Sequence, residues 1–198
     1  AAYSEITTIV LKNHNLRRSP LRILTSSQCQ AGAAEREETA VTMFFEKIDT
    51  ALIDVESLPW APFLPYTDKA FIKAIKVDPI RGEWVTLLKA SADIELPRHH
   101  HSGTVHVYTI SGQWKYKEHD WVATPGSFVF ETAGTEHTPI GLGEGEIITL
   151  NIVQGDWNLI DESGRVLAVE NWRTVMQRYL DHCKTQDIAP VDISCFSV

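Results

Sequence analysis

The sequence predicts an all-β fold, an antiparallel sandwich or barrel with one helix packed on its outside. Two observations predict it. From Phe71 onward the apolar residues fall in short, strand-length runs separated by Gly and Pro turns, a pattern of antiparallel sheets rather than of alternating strands and helices. Near the C-terminus a single stretch switches to helical spacing.

Taken in order, residues 1–56 read as an N-terminal arm and residues 57–198 as one domain. Residues 1–42 differ most from the rest. They hold the basic stretch Asn15-Leu16-Arg17-Arg18 and the small, polar run Gln30–Glu35, an irregular segment with a short helix near Glu35–Thr42. In Leu58-Pro59-Trp60-Ala61-Pro62 apolar side chains stand between prolines, which predicts an extended segment lying across a barrel or a neighbouring subunit. Strands are expected at Phe71–Val77 and Glu83–Lys89, joined by the turn Asp78-Pro79-Ile80-Arg81-Gly82. Ala92–His101, Val105–Ile110, Gln113–Tyr116, Ser127–Glu131 and Glu146–Val153 follow, with turns at Ser111-Gly112, Thr124-Pro125-Gly126 and Gly141–Gly145. Trp172, Val175, Met176, Tyr179, Leu180 and Cys183 then recur at helical spacing behind Asn171, a suitable N-cap. A helix is expected over about 171–184.

The 198 residues are 43% hydrophobic and 22% charged, an ordinary globular composition with enough chain for one real core. A net charge of −8 disfavours nucleic acid and anionic membranes as partners. No apolar run approaches the ~20 residues of a membrane helix, and Ile6–Leu11 is short for a signal peptide. Cys29, Cys183 and Cys195 form no CxxC pair, which fits reduced thiols in a cytoplasmic protein and argues against a cysteine–zinc site. The arm and the strand edges of such a fold favour a homodimer or homotetramer.

Six of the eight histidines lie between positions 99 and 137. In a strand, residues i and i+2 share a face, so His99 and His101 project together while His100 points away. With His137 from a distant strand they make three imidazole ligands, a set suited to zinc, copper, iron or nickel that leaves positions open for small molecules. His106 is a further candidate, as a fourth ligand or a supporting donor, against a strand residue bonded elsewhere. His119 lies in a charged turn and reads as solvated, and His14 and His182 have no partner pattern. Glu118 and Glu131 are the carboxylates to test as acid–base or supporting groups, with a surface or structural role as the simpler reading. Tyr108, Trp114, Tyr116, Phe128 and Phe130 are the candidate pocket aromatics. Imidazole must be neutral to ligate, so metal occupancy is expected to fall below about pH 6 to 6.5.

These residues resemble the two motifs of the cupin superfamily, G-x5-H-x-H-x3/4-E-x6-G and G-x5-P-x-G-x2-H-x3-N. His99, His101 and Gly112 match the first. Gly126, Gly134 and His137 match the second, with Thr132 where proline is usual and Gly141 where asparagine is usual. The first motif's glutamate is missing, since counting places Val105 or His106 there. Within the superfamily, the run Leu96–Thr109 resembles the three-histidine iron cupins that cleave 2,4'-dihydroxyacetophenone. Gly112–Tyr116, Asp120–Ala123, Pro125–Phe128 and His137-Thr138 agree with that likeness, as do Leu58-Pro59-Trp60 and Val77-Asp78-Pro79. It covers roughly residues 57–185.

The resemblance implies a cupin jelly-roll β-barrel with the arm in front and the helix outside. It implies Fe(II) held by His99, His101 and His137, and a dioxygenase breaking the bond beside the carbonyl of an aromatic α-hydroxyketone. The partners would be that small aromatic ketone and O2, and the products 4-hydroxybenzoate and formate. Three neutral imidazoles leave the metal's full charge to attract an anionic chelate of such a ketone. Two alternatives stay open: cleavage of a β-diketone such as acetylacetone, and a non-catalytic zinc-holding sensor. Against the sensor, no basic helix or DNA-binding segment accompanies the histidines.

Overall fold

The computed structural model describes residues 45–46, 50–194 and 196–197, all within the unit Thr42–Val198. Residues 1–44 and 47–49 of the expected arm, with its short helix, His14 and Cys29, and also Cys195, lie outside the described residues. In chain order the strands are β1 (Phe45–Glu46), β2 (Ala61–Pro62), β3 (Ala70–Asp78), β4 (Glu83–Ser91), β5 (His99–His101), β6 (Val105–Ser111) and β7 (Gln113–Tyr116). Then come β8 (Phe128–Glu131), β9 (Glu136–His137), β10 (Pro139–Leu142), β11 (Glu146–Gln154), β12 (Trp157–Ile160) and β13 (Val166–Glu170). The helix α1 (Trp172–Thr185) precedes β14 (Phe196–Ser197).

Period-two burial builds these strands. In β6, Val105, Val107 and Thr109 are buried while Tyr108 and Ile110, on the other face, are exposed. The main sheet has the order β2-β3-β4-β11-β6-β8, and a second has the order β13-β12-β5-β9. β7 pairs with β10 and β1 with β14, and every ladder between named strands is antiparallel. Ile72, Trp84, Val105 and Val107 of the main sheet join Trp157 of the second in one buried core.

The sheets do not close, which corrects the expected barrel. Among the described residues no ladder joins edge strand β2 or β8 of the main sheet to the second sheet. The edges show why. β2 is two residues long with Pro59 and Pro62 on it or beside it, and proline has no N–H to extend a ladder. At the other edge, the turn at 132–135 carries the chain from β8 into the second sheet as β9. The result is a mostly β, two-sheet cupin-like fold with one C-terminal helix. The expected strand Ala92–His101 also shortens to β5, because Ala92-Asp93 turns, Glu95 makes only an isolated bridge to Ile140 and Pro97 lacks a donor.

Leu58 is buried, Ala61 pairs with Ile72, and the Trp60 ring carries the Lys73 and Lys89 ammonium groups at 5.0 and 4.9 Å from its centroid. The helix starts where expected. The Asn171 side chain accepts from the Arg173 and Thr174 amides, and Thr174 Oγ1 accepts from the Asn171 amide, a capping box. Val175, Tyr179 and Cys183 are its buried face, which packs chiefly on β3. No helix among the described residues is long and apolar enough to cross a membrane.

Arg178 latches α1 to the sheets. Its guanidinium donates to Glu170 Oε1 at 2.9 and 3.1 Å and to the carbonyls of Pro62 and Leu64, while Tyr66 donates to Glu170 Oε2 at 3.1 Å. Glu170 is 1% exposed. Arg178→Ala leaves that carboxylate buried without its cation, and a loss of about 3–5 kcal/mol is expected in urea unfolding. An unchanged midpoint would contradict the latch.

Candidate metal centre

β5 lies between β12 and β9, and its register with β9 sets His99 directly opposite His137. His101, two residues along, shares the face of His99. The ring centroids are 4.6 Å apart for His99 and His137, 5.2 Å for His99 and His101, and 5.7 Å for His101 and His137. One ring nitrogen of each lies within 4.8 Å of the other two, and all three residues are buried. Such a set can coordinate a divalent metal ion.

Neighbours hold each ring. His99 Nδ1–H donates to the Pro97 carbonyl at 2.8 Å, which leaves Nε2 with its lone pair available to a metal ion. Tyr116 stacks on His137 at 4.2 Å between centroids, and Trp157 packs on His99 at 4.9 Å. Glu118 is exposed, and its Oε2 accepts from the Thr138 amide at 2.9 Å, tying the strand end after His137 to the β7 turn.

A carboxylate stands beside the histidines. Glu131 is 5% exposed, and its Oε2 lies 3.3 Å from Nε2 of both His101 and His137. Tyr116 donates its hydroxyl proton to Glu131 Oε1. In the β6–β8 ladder Glu131 is the partner of Val105, one of the two positions at which motif counting looked for the missing glutamate. The carboxylate comes from the neighbouring strand instead, and the expected all-imidazole face carries a negative neighbour.

The other candidates separate by strand parity. His106 sits on the face of β6 opposite Val105 and Val107, with its ring against Phe128 and Phe130 at 5.7 and 5.2 Å, away from the triad. His100 lies on the opposite face of β5 from His99 and His101, and His119 is exposed and stacked on Trp121. Trp114 and Tyr116 line a cavity of about 110 Å³ together with His99, His101 and Glu131. Tyr108, Phe128 and Phe130 are exposed and lie outside it. Phe128 and Phe130 border a second hollow, of about 510 Å³, that reaches Tyr116, Glu131 and His137. Unanticipated walls of the inner cavity come from β4 and β11: Trp84, Leu88 and Ile147, with Thr86, Thr149 and Asn151 as polar members. Inward parity on those two strands is the signal that would have found them.

Burial, then the neighbouring His137 and His101, push His99 well below the ordinary histidine range. Burial likewise lowers His101 to about 4, against the opposing pull of Glu131. For Glu131 burial acts upward, but His137, His101 and Tyr116 outweigh it and hold the carboxyl below its usual value. Protons therefore compete for His99 and His101 only at more acid pH than the expected 6 to 6.5 or so. His137 Nε2 and Glu131 Oε2 are buried with no hydrogen-bond partner, although 3.3 Å apart. Buried polar atoms left unpaired are costly, and a divalent cation between nitrogen and oxygen donors would satisfy both. The donor set fits such an ion.

A folded-state pKa below the unfolded value means that the unfolded chain takes up protons first. The stability tied to neutral His99 and His101 is thus full above about pH 6.5 and is lost as pH falls, through about 4 for His101. Glu131 acts in the same direction at acid pH. Metal-free protein is expected to lose roughly 3 kcal/mol of unfolding free energy between pH 7 and 4 from His101 alone. A flat profile in urea titrations would contradict this, as would a slope that survives in His101→Asn unchanged.

The ChrR cupin-like domain family matches residues 49–155. An RmlC-like cupin protein from Ralstonia eutropha JMP134 is 54% identical, and its crystal structure superposes with a TM-score of 0.71 over 74% of this chain and 95% of that one. A cupin-fold protein of unknown function from the same organism is 24% identical over 76% and 94% of the two chains, with a TM-score of 0.68. An acetylacetone dioxygenase from Acinetobacter johnsonii is similar in fold, at 19% identity, coverage of 67% and 91%, and a TM-score of 0.59. Comparison with curated proteins finds no match. The family match spans more than half of the chain and agrees with the paired sheets and the histidine triad; this chain belongs to the ChrR cupin-like domain family.

Proposed function

We propose that the chain is an Fe(II)-dependent dioxygenase that cleaves a carbon–carbon bond of a small enolisable ketone, with a β-diketone of the acetylacetone type as its substrate. The observation that carries this reading is a buried three-histidine group opening onto a mainly apolar cavity of about 110 Å³. Likeness in fold to an acetylacetone dioxygenase supports the choice of substrate class.

His99, His101 and His137 would hold the iron, which when bound supplies a Lewis acid for ketone oxygens and a redox partner for O2. Trp84, Leu88 and Ile147 keep water from the substrate, and the hydroxyls of Thr86 and Thr149 lie in the cavity wall to orient its polar atoms. One carbon–carbon bond and the O–O bond break, and each fragment gains one oxygen atom. Size favours the diketone. The inner cavity is small, and acetylacetone brings seven non-hydrogen atoms into it where 2,4'-dihydroxyacetophenone brings eleven. The second reading, 2,4'-dihydroxyacetophenone, is favoured by the outer hollow, where Trp121, Phe128 and Phe130 offer an aryl group room beside His137.

Oxygen uptake by the Fe(II)-loaded protein is expected with acetylacetone, and more slowly with 2,4'-dihydroxyacetophenone. His137→Ala is expected to lower uptake by more than ~100-fold while the far-ultraviolet circular dichroism is unchanged. No uptake with either ketone would defeat the proposal, and full activity in His137→Ala would remove the triad from it.

A further inference from the structure

Glu131 is a buried carboxylate with no lysine or arginine partner among the described residues; its closest side-chain nitrogens are the imidazole Nε2 atoms of His101 and His137, each 3.3 Å from Oε2. Depositing a carboxylate in an apolar interior is costly unless a positive charge balances it. Its position is not accidental. The β6–β8 ladder fixes its backbone opposite Val105, and the Tyr116 hydroxyl holds Oε1, so Oε2 is the oxygen turned to the two imidazoles.

We infer that Glu131 sets the charge that the loaded site presents, and so selects a monoanionic oxygen chelator over a dianionic one. The inference rests on reading His99, His101 and His137 as a divalent-metal site. A dication and one carboxylate sum to a single positive charge. A monoanion such as a diketone enolate brings the buried ensemble to zero. A dianion leaves a net negative charge in a cavity walled by Trp84, Leu88 and Ile147, where charge is poorly solvated. Three imidazoles without Glu131 would instead match a dianion.

The test uses the full chain with Co(II) as the probe metal, and reads acetylacetonate and oxalate binding from the visible absorbance of the bound ion. Glu131→Gln and Glu131→Met are expected to shift the ratio of affinities toward oxalate by roughly 10- to 100-fold relative to wild type. An unchanged ratio in either folded variant overturns the inference and leaves the metal site standing. Should neither variant fold, wild type decides: a preference for acetylacetonate over oxalate greater than that of free Co(II) supports the inference, and a smaller one overturns it. Failure of wild type to bind Co(II) overturns the metal-site reading and the inference with it.

Discussion

Antiparallel pairing between β5 and β9 brings His99 opposite His137, and the remainder of the site is arranged around that pair. Parity along β5 adds His101 to the same face and turns His100 to the other. On the far side of β5, β12 sets Trp157 opposite His101 and packs its ring against His99. A slip of one residue would present His100 in place of both neighbours and dismantle the triad. The short strands tolerate this demand because the fold around them is strongly specified. β3, β4, β11 and β6 form a continuous ladder, and Arg178 pins α1 across its end.

Three buried imidazoles and a carboxylate are an unfavourable group to bury without an ion. Burial disfavours protonating His99 and His101, and Glu131 keeps its charge only through its close neighbours. The surrounding apolar core offsets that cost, and a bound divalent ion would relieve it, which would link occupancy to stability. The same arrangement would govern which ligand the site accepts. Neutral nitrogen donors, one carboxylate and dry walls favour a ligand that is small, mostly apolar and singly charged.

Much of the site was legible because it depends on local periodicity. The i, i+2 histidines, the spacing from Gly126 to His137, the strands β3, β4, β6, β7, β8 and β11 and the Asn171 cap all follow from rules that act within a few residues. What was not legible depends on pairing between distant segments. Barrel closure turns on sheet edges, and here Pro59, Pro62 and the turn after β8 leave them open. β9, β12 and β13 are too short or too exposed to carry a periodic signal of their own. Glu131 was visible as a residue but not as a neighbour of the triad, because only the register with Val105 turns it inward. Gly141, the departure from the second motif, has a steric cause. A Cβ there would collide with the Ala92 backbone carbonyl.

On this reading the buried triad holds one divalent metal ion per chain. Anaerobic equilibrium dialysis of metal-free protein against Fe(II) measures that stoichiometry. One ion bound per wild-type chain, and none by folded His99→Ala under the same conditions, is the predicted result. No binding by wild type, or full binding by His99→Ala, would contradict it.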